Sequence, residues 1–303
     1  MELKRMIPFI KHQWVLIAIS LALTVVALAF IMTKGLNYGI DFKGGARLVY
    51  QFQQPVAEGD IEGALKDAEL SGAEVVRYGQ KADNRFSIKI EKAEEHAELG
   101  GVVTAALEKK WGAGTVTLET EETVGPKVGK ELRKKAWLAV IFAVILMLIY
   151  IGYRFDFYFA PGAVVALMHD VIITMGIFAF LGKEFNLSIL AAMLTIVGYS
   201  INDTIIVFDR IRENGHSITR DNIKDVVNLS INQTLSRTII TVLTVQLVLI
   251  VIFLRGGGSL HDFALAMMIG FFCGTYSSIF IASPCYIGLY RNWPKLIAAL
   301  ERK

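Results

Sequence analysis

Two aspartates and an arginine lie in or beside long apolar runs, where ionised side chains are expensive. Asp203 sits in "VGYSINDTIIVFDR", beside Asn202 and six residues before Asp209, which places it roughly 9 Å below a polar end at ~1.5 Å per residue. Asp170 sits deeper, in "ALMHDVIITMG" next to His169, and Arg237 precedes a further run. A charge at the centre of a bilayer costs a few kcal/mol on insertion scales, so each such residue needs a partner or a task. The task open to this set is exchange of a proton or small cation on a carboxylate, with an arginine tuning it. The static alternative is that Asp203 and Arg237 neutralise each other and fix helix register, since polar contacts between membrane helices contribute about 0.6 kcal/mol each. His169 reads as a hydrogen-bonded core histidine.

Helical spacing says how these residues are held. Ser230, Thr234, Arg237, Thr241 and Thr244 recur at intervals of four and three, one helical face. Asp170 and Thr174 share a face of one helix, and Thr195, Tyr199 and Asp203 a face of the next. Three helices with polar faces are expected to turn them toward one another, and an Asp203–Arg237 ion pair is predicted.

The chain has 303 residues, of which 54% are hydrophobic, more than the ~45–50% of soluble domains. The excess is concentrated in blocks, which predicts a polytopic α-helical membrane protein with six transmembrane helices over 14–33, 136–153, 160–181, 187–208, 231–254 and 262–287. The first block is longer than a signal-peptide core and lacks a small-x-small cleavage site, so it reads as an uncleaved anchor. Lys4, Arg5 and Lys11 in the tail 1–13, Arg210, Arg212, Arg220 and Lys224 in the loop 209–230, and Arg291, Lys295, Arg302 and Lys303 in the tail 288–303 mark one side. By the positive-inside rule that side is the cytoplasm, with both termini in. Within that loop, Ile223, Val226, Val227 and Ser230 could form an amphipathic surface helix; an ordinary connector is the preferred reading.

Residues 34–135 fall on the far side. "ARLVYQF", "AEVVRYG", "RFSIKI" and "TVTLETEETV" read as strands, and "VAEGDIEGALKDAEL" and "EKAEEHAELGGVVTAALEKKW" as helices. The order β-α-β-β-α-β predicts one extracytoplasmic α+β domain, a ferredoxin-like split βαβ. "GIDFKGG", with Gly39, Asp41, Gly44 and Gly45, joins the anchor to this domain, and "VGPKVGKEL" reads as the matching re-entry turn.

Soluble-enzyme chemistry finds no support. "GIDFKGG" is neither a phosphate loop nor a dinucleotide fingerprint. His96 has Lys92 where a zinc-protease motif needs its second histidine. The net charge of +3 is too small to argue for nucleic acid. Cys273 and Cys285 are twelve apart in one run, roughly 18 Å along a helix, so they cannot pair. No enzymatic activity, cofactor, metal or nucleic-acid partner is expected.

"GIDFKGG", "VGPKVGKEL", "HDV", "SINDTIIVFDRIREN", "INQTLSRTIITVLT" and "FALAMMIGFFCGTYSSIFIASP" occur in this order along nearly the whole chain. Together they resemble the SecF side of the SecD/SecF protein-export family, within the resistance-nodulation-division superfamily. The resemblance implies an auxiliary subunit in the cytoplasmic (inner) membrane that works with SecD and the SecY–SecE–SecG translocon on a translocating preprotein. YajC and YidC are further partners it suggests. It also implies that the proton or sodium motive force drives late, ATP-independent export. By position, Asp203 matches the family's intramembrane acid and Arg237 its arginine partner; Asn202 and Asp170 complete the candidate ion-coupling set. SecD supplies a second acid in the family, so this chain is expected to need SecD. Gln246, in a stretch poorer in threonine than the family pattern, departs from it. Two other readings stay open: a non-conducting scaffold for SecD or the translocon, and a small-molecule transporter of the same superfamily, which would be expected to carry a second half and a second large loop.

Overall fold

The structure, a computed structural model, describes residues 6–68, 70, 72–79, 81–91, 99–155 and 159–300. His96, Lys92, the first part of the second expected domain helix, and the tail charges Lys4, Arg5, Arg302 and Lys303 lie outside these residues.

Among the described residues six helices are long and apolar enough to cross a membrane, which makes this a multi-pass membrane protein. They are α1 (Gln13–Thr33), α5 (Pro126–Arg154), α6 (Ala160–Leu181), α7 (Leu187–Glu213), α8 (Ile223–Arg255), and a sixth that runs through α9 (Gly258–Ser277), a π turn (Ser278–Ala282) and α10 (Ser283–Leu300). Their ends are chemically marked. Pro126 opens α5 behind Gly125, Gly182 ends α6 in the left-handed region at φ +66°, and the Asn186 side chain caps α7 by accepting from Ile189 N at 3.0 Å.

Packing within the bundle depends on small residues, as expected where lipid removes most of the hydrophobic drive between helices. A Cβ on Gly270 would lie 2.3 Å from Ile196 Cδ1, and one on Gly274 would lie 3.0 Å from Ser200 Cβ. These two glycines therefore let α9 lie against α7. Gly176 does the same for α6 against Ala27 of α1, where a Cβ would fall 2.3 Å from the Ala27 Cβ. The helices α6, α7 and α9 form the centre, whereas α1, α5 and α8 present most of their surface outward.

The outer domain is built as β2 (Gly45–Phe52), α3 (Glu58–Asp67), β3 (Glu74–Arg77), β4 (Arg85–Ile90), α4 (Leu99–Trp111) and β5 (Val116–Val124). Its sheet has the order β3-β4-β2-β5 with every pair antiparallel, an arrangement compatible with the expected ferredoxin-like sandwich. The core lies between the sheet and α3/α4 and contains Leu48, Tyr50, Ile61, Leu65, Phe86, Ile88, Val103 and Leu107. Tyr50 anchors α4: its hydroxyl donates to Gly100 O at 2.9 Å and meets Thr104 Oγ1 at 2.9 Å. Burial away from water pushes the Tyr50 phenol up to about 12.

Three expectations are corrected. "VGPKVGKEL" is no turn but the opening of α5, because Pro at the first helical position favours the helix rather than stopping it. Residues 209–230 are not all loop: α7 continues to Glu213 and α8 starts at Ile223. Nor is Ile223–Ser230 a separate surface helix or a connector. Ile223 and Val227 are fully buried against the cluster that holds Phe208 and Ile211, so this stretch is the packed start of α8.

Candidate functional site

The polar residues of the bundle fall into two groups. At the centre, Asp170 of α6 is fully buried. Its Oδ2 accepts from Ser200 Oγ of α7 at 2.6 Å and from Ser277 Oγ of α9 at 2.7 Å, and its Oδ1 lies 2.9 Å from His169 Nδ1. One carboxylate thus joins all three central helices. A turn further along, Thr204 Oγ1 meets Ser278 Oγ at 2.9 Å. The π turn begins at Ser278, and Ser283 Oγ donates back to the Ser278 carbonyl at 2.9 Å. A buried carboxylate is tolerable only when donors surround it. Asp170 has three, so it is held in one geometry. The His169 ring is buried as expected, with Nδ1 on Asp170 and no partner at Nε2 among the described residues.

The second group is more open. Asp203 is 7% exposed and, among the described residues, has a single side-chain donor, Thr275 Oγ1 of α9 at 3.3 Å. It lines a narrow cavity of about 10 Å³ with Tyr199, Ser200, Thr241, Val242 and Thr275, close to the volume one water needs. On the same seam, Tyr199 is 43% exposed. Asn202 and Arg237 are also exposed.

The predicted Asp203–Arg237 ion pair does not form: no contact within 4.0 Å joins them among the described residues, although the guanidinium charge acts on Asp203 at longer range. The cause is the register of α8. Its inward positions are Ser230, Thr234 and Thr238, spaced by four, so Arg237 and Thr244 turn outward and Thr241 is half-buried at the rim. Asn202 likewise faces away from the centre. Gln246 acquires a role, since its Nε2 donates to Met268 O of α9 at 2.9 Å and ties α8 to the central helices.

Sequence reasoning missed Ser200, Ser277 and Thr275, the partners of the two acids. The signal was the small-residue series Gly270, Gly274, Ser278 at intervals of four in "GFFCGTYSS". It marks a face that admits close approach of another helix, and the serines facing Asp170 adjoin it.

"GIDFKGG" is placed by the structure at the junction of membrane and outer domain. Ile40–Lys43 form a short turn of helix, α2, whose Asp41 Oδ2 accepts from Leu187 N at 2.8 Å, at the first residue of α7. Gly39 N donates to Phe185 O at 3.0 Å, continuing a parallel ladder between β1 (Asn37–Tyr38) and β6 (Glu184–Phe185). Gly44 has φ +85°, and a Cβ there would lie 2.7 Å from Pro126 Cα; one on Gly129 would lie 2.9 Å from Gly44 N. The chain leaving the membrane is therefore pressed against the chain re-entering it. Beside this junction Glu184 accepts two cations from the domain sheet, Arg47 at 2.9 Å and Lys89 at 2.5 Å. Tyr78, just after β3, lies against Gly257 and Gly258 at the start of α9, where a Cβ on Gly257 would be 3.3 Å from its ring.

The chain matches the family model for the protein export membrane protein SecD/SecF, C-terminal region, over residues 103–292, and the SecD/SecF GG motif over 29–56. It is 39% identical over 283 residues to the protein translocase subunit SecF of Pseudomonas aeruginosa, covering 93% of this chain and 91% of that one. With the SecF subunit of Magnetococcus marinus it shares 44% over 281 residues, covering 91% and 89%. It superposes on the crystal structure of SecDF, a translocon-associated membrane protein from Thermus thermophilus, with a TM-score of 0.83 at 36% identity, covering 96% of this chain but only 40% of the SecDF chain. With SecDF in a super-membrane-facing form the TM-score is 0.71. The matched segments include the junction motif and all of α6 to α9, and on these grounds the chain belongs to the SecF branch of the SecD/SecF family of protein-export membrane proteins.

Proposed function

We propose that the chain is an auxiliary subunit of the Sec protein-export machinery, working with SecD beside the SecY–SecE–SecG translocon in the cytoplasmic membrane. It promotes late preprotein translocation with the proton or sodium motive force and performs no enzymatic chemistry of its own. The single observation that carries the ion-coupling part is the contrast between the two acids. Asp170 is engaged by three side chains, Ser200, Ser277 and His169. Among the described residues, Asp203 has one long side-chain hydrogen bond, a water-sized cavity, and a seam on which Tyr199 is half exposed. A carboxylate with spare acceptor capacity beside a small cavity suits reversible loading of a proton. This moves Asp170 from the ion path to the framework and leaves Asp203 and Arg237 as the working pair. Because the chain spans 40% of the SecDF chain it superposes on, the open seam is assigned to SecD, whose own acid would complete the path.

The test is complementation in cells depleted of their own SecF, with SecD present and membrane levels matched. The chase of precursors to mature exported protein is followed for wild type and Asp203→Asn. Rescue by wild type alone supports the reading. Equal rescue by both would leave a scaffold that moves no ions.

A further inference from the structure

Where α1 begins, a cleft of about 640 Å³ opens between the start of α1, the α7–α8 connection and the end of the sixth membrane helix. Its walls are of two kinds. The floor is apolar, with Trp14, Ile17, Val165 and Ile281; the rim carries Arg220, Lys224 and Arg291. No ion pair holds any of these three cations among the described residues. Among the described residues the same side's other arginines are engaged: Arg210 with Glu213 at 2.8 Å, Arg212 with Asp209 at 2.8 Å and Arg154 with Asp209 at 3.4 Å. Asp221 is the one acid among the described lining residues and leaves a surplus of two positive charges there. Trp14 is 73% exposed, and an indole at a helix end lies at headgroup level.

We propose that this cleft binds an acidic phospholipid of the cytoplasmic leaflet. Its phosphate is gripped by Arg220, Lys224 and Arg291, and the first methylenes of its acyl chains lie on the floor beneath. Charge complementarity selects the anion, and an apolar floor opening beside a membrane helix selects a lipid over a free anion. Basic clefts between membrane helices on this face are suited to such headgroups, and each cation near the surface strengthens retention about fivefold. The cleft lies apart from Asp203, so the proposal stands or falls independently of ion coupling.

The experiment uses the purified full chain reconstituted in phosphatidylcholine, with spin-labelled phosphatidylglycerol or spin-labelled phosphatidylcholine as probe. Wild type is expected to retain phosphatidylglycerol preferentially. Arg220→Gln, Lys224→Gln and Arg291→Gln should each weaken that preference about fivefold, and together abolish it. Asp221→Asn should strengthen it. Arg210→Gln, an arginine on the same side that is already paired, should leave it unchanged. All these side chains are exposed or at the rim, so the variants remain folded. Undiminished selectivity in the triple variant, or an equal loss in Arg210→Gln, would overturn the proposal. So would loss of wild-type selectivity on adding millimolar inorganic phosphate, which would mark a site for a free anion.

Discussion

Glu184→Gln should loosen the outer domain from the membrane bundle, and the structure sets the size of the effect. Glu184 sits in the short α6–α7 connection and faces Arg47 and Lys89 of the domain sheet at 2.9 and 2.5 Å. The side-chain exposures are 16% for Glu184, 14% for Arg47 and 16% for Lys89. Exposed pairs contribute about 0–1 kcal/mol, while breaking a buried one costs about 3–5 kcal/mol because a charge is left uncompensated. These groups lie between those limits, and the neutral amide would leave Arg47 with the more exposed Glu122 at 3.4 Å and Lys89 with the more exposed Glu74 at 3.6 Å. A loss of about 2–4 kcal/mol in the free energy of opening follows. The amides that report on opening are those bridging the junction: Gly39 N on Phe185 O and Leu187 N on Asp41 Oδ2. Their hydrogen exchange should speed up by about 30- to 1000-fold, since a factor of ten corresponds to about 1.4 kcal/mol. Glu122→Gln is the control. Glu122 also touches Arg47, at 3.4 Å, but is 51% exposed, so the change should stay within about fivefold. Arg47→Gln should fall between the two, because Glu184 keeps Lys89. If Glu184→Gln accelerates these amides by less than about threefold, the junction is held by the ladder and the aromatic cluster alone, and the ionic argument is wrong.

Gly44→Ala should abolish accumulation of folded protein in membranes, since φ +85° is compounded by a Cβ 2.7 Å from the Pro126 backbone. Gly35→Ala, at φ +74° with open space around it, should cost only about 1–2 kcal/mol of backbone strain and still accumulate. Gly270→Ala should destabilise the bundle by about 1–3 kcal/mol in denaturant titrations, the range for overpacking. Ile196→Ala in the same chain should recover part of that, because a Cβ on Gly270 meets Ile196 Cδ1, Cγ1 and Cγ2 at 2.3, 2.4 and 2.7 Å and alanine lacks all three. The Tyr50 phenol predicts a pH dependence. Its folded value of about 12 lies above the ordinary phenol value of 10.0, so its contribution is fully present below pH 10 and is lost as pH rises from 10 toward 12. Thermal unfolding of the outer domain in the full chain should fall over that window by up to about 2 kcal/mol more in wild type than in Tyr50→Phe; identical profiles would contradict the assignment.

Much of this architecture was legible because membrane spans and small α/β domains are written in residue type and period. Apolar runs announce six helices, and alternation announces the strands of "ARLVYQF" and "RFSIKI". Helix ends were less legible. Ile223, Val226 and Val227 read equally well as an amphipathic surface helix and as the buried start of a long one, because period alone does not say what covers a face. The site was legible as a list of acids and not as a geometry. A recurrence of 230, 234, 237, 241 and 244 describes a broad face, and which edge of it turns inward was set by Gln246 bonding to Met268 O and by small residues on α9. Those contacts are between helices and leave no mark in the spacing within one.

The same geometry explains how a motion at Asp203 could be transmitted outward. Asp203 lies on α7, and the N-terminus of α7 is fixed to the outer domain by three separate attachments: the Asp41 carboxylate on Leu187 N, the parallel pairing of β1 with β6, and the Glu184 ion pairs. A helix transmits displacement along its axis as a rigid element, with 27 residues here spanning about 40 Å. If charge at Asp203 shifts α7, the first groups to feel it outside the membrane are residues 184–187, and Glu184 would carry that displacement to β2 and β4. Glu184→Gln should therefore reduce export more than it reduces folded protein in the membrane, whereas Asp203→Asn should reduce export with junction amide exchange unchanged. If Glu184→Gln accelerates junction exchange and export stays at the wild-type rate, the outer domain does not receive its motion through α7.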